Sequence, residues 1–105
     1  MTQPEWLTAV GLGILVSALF WIDAIFFPLA LAGPLAWGAL AGLRHMNWRW
    51  PVTVSIVAGL GAVISDFVIN QEHVAFHLAL TFTMTAFAWS AWSIALRFVR
   101  EDHRR

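Results

Sequence analysis

Residues 66–77 read DFVINQEHVAFH, a polar stretch between two long apolar segments. We interpret residues 70–72 as the turn of a helical hairpin whose two legs carry Asp66 and His77. Each of these two residues lies about 8 Å of helix axis from the centre of the turn, which gives both the same depth in a membrane. The stretch therefore predicts a carboxylate and an imidazole that approach each other near one end of the hairpin.

The composition indicates an integral membrane protein. Apolar residues make up 60% of the chain and charged residues 11%, which is far from the averages of soluble domains. The apolar runs are each close to the ~20 residues that cross a bilayer core as a helix. We expect an all-α, multi-pass protein of the cell (inner) membrane, with two helical hairpins and four transmembrane helices. The expected spans are residues 6–22, 24–43, 51–69 and 73–98.

Residues 6–43 leave a second interpretation open. Asp23, Pro28 and Pro34 interrupt this apolar region. A turn near residues 21–24 gives two crossings, which we favour because one helix of this length would be nearly twice as long as the bilayer core is thick. The alternative is three full spans plus a short re-entrant or interfacial helix at residues 34–43, which is tolerated only where protein covers it.

The basic side chains predict the orientation. Arginine occurs only in the segment 44–50 and after residue 96, and lysine is absent. By the positive-inside rule, the loop 44–50 and the tail 99–105 are cytoplasmic, and the turn 70–72 is extracytoplasmic. Four spans then place the amino terminus in the cytoplasm too. Because these arginines adjoin membrane spans, we expect contacts with the lipid bilayer and no nucleic-acid partner. The residues that define this orientation are Arg44, Arg49, Arg97, Arg100, Arg104 and Arg105.

Small and polar residues predict which helix faces meet. They recur every three or four residues on both legs of the hairpin, and helices in lipid associate through such faces. Gly38 and Gly42 form a small-xxx-small pair on the second span, which predicts a packing or dimerisation surface. The face of the third span comprises Ser55, Gly59, Ala62, Asp66 and Asn70, and that of the fourth comprises His73, His77, Thr81, Met84, Thr85 and Ala88.

A weak internal repeat relates residues 11–17, GLGILVS, to residues 59–65, GLGAVIS. The shift of 48 positions places Asp23 opposite Gln71, as if both marked the outer turns of successive hairpins. This pattern favours a parallel repeat of two hairpins. Chance recurrence of Gly, Leu, Val and Ile in membrane helices explains it equally well.

An ionisable residue within a span is by default a candidate functional site, and we single out Asp66 with His77. In the first hypothesis, these residues hydrogen-bond across the hairpin with Asn70 and His73 and fix its register. The protein then acts by association, as a homo-oligomer or as a subunit of a larger membrane complex. Enzyme activity is the least supported class, because no nucleophile, base and orienting group form a set.

Two other hypotheses use the same residues. An oligomer could translocate a proton or a cation with Asp66, His73 and His77, since carboxylate and histidine chains are typical of such relays. The polar track would continue inward along Thr81, Thr85 and Ser55.

Alternatively, a divalent transition metal could bind His73, His77 and Asp66, with Glu72 and Asp23 as additional oxygen ligands. No covalent cofactor is expected, because the chain lacks both cysteine and lysine.

Overall fold

A computed structural model describes residues 3–69 and 74–104, without the side chains of residues 23–27, 69 and 101–104. Over this part of the chain the fold is all-α with four helices, as predicted. Two stretches, Arg49–Val68 and Val74–Arg100, are long and apolar enough to span a membrane. The helices are α1 Gln3–Leu19, α2 Asp23–Leu43, α3 Arg49–Ile69 and α4 Val74–Arg104.

Helix α2 is continuous although it contains Pro28 and Pro34. The chain turns at residues 20–22, where the Ile22 N–H donates to the carbonyl of Leu19 (3.0 Å). Pro28 lies in the second turn of α2, close to the end where a missing N–H is tolerated. Residues 34–43 are the second half of one 21-residue helix and not a separate short helix.

Local hydrogen bonds fix the connection between α2 and α3. His45 has a φ of 56°, and the Met46 N–H donates to the carbonyl of Ala41 (2.8 Å). This left-handed residue and long backward bond form a Schellman motif, which ends α2. Asn47 then accepts a hydrogen bond on Oδ1 from the Arg49 N–H (3.0 Å), so its side chain caps the start of α3.

The helices pack in the order α1, α3, α4, α2. The hairpin of α3 and α4 is a packed pair, as its facing small and polar residues predict. By contrast, α1 has its main contacts with α3, and α2 with α4, although α1 and α2 follow each other in the chain. The first expected hairpin is therefore not a packed pair: its legs α1 and α2 pack on α3 and α4 instead of on each other.

Glycines allow the backbones of α2 and α4 to approach closely. A Cβ on Gly42 would lie 2.5 Å from the carbonyl oxygen of Trp92, and a Cβ on Gly38 would overlap the carbonyl of Ala88. Both contacts pair a residue of α2 with the residue 50 positions later in α4, so these helices run parallel. The small-xxx-small pair of α2 is thus covered within the chain, by the backbone of α4.

Parallel packing recurs between α1 and α3. A Cβ on Gly13 would lie 2.6 Å from the Cβ of Val57, and a Cβ on Gly61 would overlap the Ser17 hydroxyl. The segments 11–17 and 59–65, which resemble each other in sequence, therefore lie on helices in direct contact.

A polar junction joins three helices in the interior. The Trp37 indole N–H of α2 donates to Ser55 Oγ of α3 (2.9 Å), and Ser55 Oγ lies 3.5 Å from the Met84 carbonyl of α4. All three residues are buried. An indole N–H without an acceptor is costly in an apolar interior. This junction therefore fixes the position of α2 along the bundle axis relative to α3.

The glycine contacts predict opposite effects at two positions. Gly38→Ala should destabilise the fold by about 1–3 kcal/mol, because the new methyl group would meet the Ala88 backbone, which cannot move aside cheaply. Gly11→Ala is the matched control: nothing lies within 4 Å of the new methyl group, so the better helix former should stabilise α1 by up to about 1 kcal/mol. Unfolding in detergent micelles measures both; equal effects would contradict this packing.

The junction predicts a coupling between Trp37 and Ser55. Ser55→Ala should destabilise the protein by about 1–3 kcal/mol, because it leaves a buried indole N–H without its acceptor. In a Trp37→Phe background the same substitution should cost much less, since no indole N–H remains. A double-mutant cycle on the free energy of unfolding measures the difference, and strictly additive effects would show that this hydrogen bond is not formed.

Candidate functional site

Asp66 and His77 meet across the interface of α3 and α4. The carboxylate Oδ1 of Asp66 lies 4.0 Å from His77 Nε2, and the two side chains keep 7% and 15% of their surface exposed. This separation permits an ion pair when the imidazole is protonated, and it exceeds the length of a direct hydrogen bond. Phe76 packs edge-on against the imidazole, with ring centroids 5.6 Å apart.

The polar faces of α3 and α4 continue inward from this pair. Further along the same interface of α3 and α4, Gly59 lies against the Thr81 side chain. The Thr81 hydroxyl donates to the His77 carbonyl (2.7 Å), and the Thr85 hydroxyl donates to the Thr81 carbonyl (2.8 Å). Both hydroxyl protons are therefore directed to the backbone of α4 itself, and the threonines contribute to packing against the small face of α3.

Several predicted site residues lie outside the described part of the chain. Asn70, Glu72 and His73 belong to the segment between α3 and α4, and the side chain of Asp23 is also outside the description. Among the described residues, no group of three or more His, Asp or Glu side chains is placed to hold a metal ion. A metal site that draws on residues 72 and 73 stays a prediction.

The predicted packing residues all lie at helix contacts. Gly38 and Gly42 meet α4, and Gly59 meets Thr81. Ala62 is half-buried and packs against the apolar core. The small residues on these helices thus serve contacts within one chain.

The arginines gather at the opposite end of the bundle from Asp66. Arg44 follows α2, Arg49 begins α3, and Arg97 and Arg100 lie in the last turns of α4; all four are exposed. The side chain of Arg104 and all of Arg105 lie outside the description. The charged residues therefore divide the molecule into a basic end and an end that carries the Asp66 and His77 pair.

An outward-facing groove of about 430 Å³ runs between α1 and α3. Its floor is formed by small residues at the close contact of the two helices, and its walls are apolar. The lining residues are Ile14, Ser17, Val57, Leu60, Gly61, Ile64 and Ser65.

Two tryptophans have roles that the sequence analysis missed. Trp37 supplies the donor of the interior junction, and the Trp92 indole N–H donates to the Met46 carbonyl (2.8 Å), which ties α4 to the α2–α3 connection. The available signal was the position of Trp37, well inside an apolar span and away from either interfacial belt, where an indole N–H needs an acceptor from the protein.

The chain matches no protein-family model, and no curated protein or solved structure is detectably similar to it. The geometry of the described residues therefore carries the functional argument.

Proposed function

We propose that this chain is a four-span, non-enzymatic membrane protein that acts by association with other membrane proteins or with copies of itself. In this proposal the contact between Asp66 and His77 fixes the register of α3 against α4. The observation that carries it is the use of the interior polar groups: the hydrogen bonds of Trp37, Thr81 and Thr85 all serve contacts between or within helices.

The distribution of apolar surface supports membrane insertion of the bundle. Large apolar side chains are exposed on all four helices, with values as high as 78% for Phe82 and 73% for Val68. Buried positions include the polar residues Ser55, Asp66 and Thr81. An apolar exterior around small and polar contacts is typical of helices that associate in lipid, whereas a soluble monomer rarely exposes so much contiguous apolar surface.

The outer surface also supports association. The groove between α1 and α3 combines apolar walls with small residues at its floor, and exposed Gly11 leaves the adjoining face of α1 open. Small residues allow another transmembrane helix to approach closely. The polar side chains of the interior thus bond within the chain, and the outer surface offers an apolar groove to another helix.

The proposed orientation predicts the location of each connection. Reporter fusions after Asn47 and Arg105 should report a cytoplasmic location, and a fusion after Gln71 an extracytoplasmic one, because arginines are retained on the cytoplasmic side. A reporter at the amino terminus should also be cytoplasmic. An extracytoplasmic amino terminus would contradict four crossings.

The role of Asp66 and His77 in packing predicts a coupled effect on stability. Asp66→Ala and His77→Ala should each destabilise the protein, and the double variant should cost less than the sum, with a coupling of about 0.5–1.5 kcal/mol. The free energy of unfolding in detergent measures this coupling. Additive effects would show that the two side chains do not stabilise the hairpin together.

The double alanine variant also tests association. Wild-type protein extracted in mild detergent should have the mass of a complex, and the double alanine variant should release the monomer, because a loosened hairpin distorts the outer surface. A wild-type protein that is wholly monomeric would contradict association.

A different variant tests translocation. Proton or cation flux into proteoliposomes that Asp66→Asn abolishes without loss of stability would favour translocation instead.

A further inference from the structure

Four exposed arginines from three helix ends meet at the basic end. Arg44 and Arg49 flank the α2–α3 connection, and Arg97 and Arg100 lie just beyond the point where α4 meets that connection. The hydrogen bond from Trp92 to the Met46 carbonyl sets this meeting point (2.8 Å). Residues distant in sequence thus present exposed cations at one end of the bundle, and we call these four arginines the arginine surface.

Few acidic residues accompany the arginine surface. Glu5 lies in the first turn of α1, which starts at this end because α1 runs parallel to α3. Glu101 and Asp102 follow Arg100 in α4. Among the residues whose side chains are described, this end holds four arginines and one acidic residue, so it carries an excess of positive charge that an anionic partner would balance.

Arg49 differs from the arginines of α4 in its position relative to the dipole of its helix. Arg97 and Arg100 lie near the carboxyl end of α4, where the helix dipole favours cations without any ligand. Arg49 is the first residue of α3, where the dipole disfavours a cation and favours an anion. An arginine at this position gains nothing from the dipole of α3, and an anion bound from outside the chain would compensate its charge.

Trp48 places that guanidinium at a defined depth. The Arg49 guanidinium carbon lies 5.6 Å from the centroid of the Trp48 ring, and Trp48 is 44% exposed. Tryptophan side chains prefer the headgroup region of a bilayer. The hydrogen-bonded caps around His45 and Asn47 define the backbone of the connection between Arg44 and Arg49.

We propose that the arginine surface binds the headgroup phosphates of anionic phospholipids in the leaflet that it faces. This inference rests on the membrane insertion proposed above. Guanidinium groups form paired, charge-assisted hydrogen bonds with phosphate oxygens, and basic residues next to a span attract anionic lipid. The positive excess of this end and the interfacial position of Trp48 match that partner.

Lipid retention by the purified full chain tests the proposal. The protein is reconstituted in mixed phosphatidylglycerol and phosphatidylcholine of identical acyl chains, extracted in mild detergent, and analysed by native mass spectrometry. Wild-type protein should retain phosphatidylglycerol preferentially, and this preference should fall by about 5-fold for each arginine removed in Arg44→Gln and Arg49→Gln. Arg49→Lys, which keeps the charge, should retain most of the preference.

The controls separate the alternatives. Ser90→Ala, an exposed and uncharged position on α4, should leave the preference unchanged.

Equal retention of both lipids by wild-type protein, or an unchanged preference in Arg44→Gln/Arg49→Gln, would overturn the inference while leaving membrane insertion intact. Displacement of the lipid by inorganic phosphate at equal concentration would assign the surface to a soluble anion and overturn it as well. Failure to incorporate into either lipid would overturn insertion itself, and the inference with it.

Discussion

The close approach of α2 to α4 is the contact on which the rest of the bundle depends. Gly38 and Gly42 lie directly on the backbone of α4, so neither helix can slide without forcing a side chain or a carbonyl into its neighbour. This contact places Trp37 at the height of Ser55. It also places Trp92 beside the carbonyl of Met46. One close helix contact thereby determines two hydrogen bonds that join α2, α3 and α4.

The pair of Asp66 and His77 occupies the other end of the same framework. Ser55 and Gly59 of α3 lie against α4, and the carboxylate and imidazole meet further along the same interface. Removing two polar groups from water is costly unless they contact each other or another partner. Their position near the hairpin connection therefore makes the register of α3 and α4 sensitive to any change in that pair.

The sequence was sufficient for much of this description, because the relevant signals are local or periodic. Apolar runs bounded by Asp23 and by the arginine segments predict four helices. The spacing of Ser55, Gly59 and Asp66 places them on one face of α3, which is the face that meets α4. Both predictions need only the 3.6-residue period and the preference of arginine for helix ends.

The order of the helices could not be predicted in the same way. Short connections suggest that consecutive helices are neighbours, and nothing local to residues 11–17 shows that α3, and not α2, covers Gly13. That choice depends on how Gly13 and Gly61 fit Val57 and Ser17, which is a matter of shape between distant segments. The role of Trp37 was missed for the same reason, since its acceptor is 18 positions away in sequence.

The packing of α1 on α3 and of α2 on α4 affects how the protein is assembled. When the ribosome has made only α1 and α2, neither helix has its main partner, since α3 and α4 are still unsynthesised. The faces of α1 and α2 that carry Gly13, Gly38 and Gly42 therefore gain their packing partners only after the second half of the chain is made. Late, long-range contacts of this kind form slowly and leave incomplete chains exposed to wrong partners. The first half of this chain thus lacks its main packing contacts until both α3 and α4 are present.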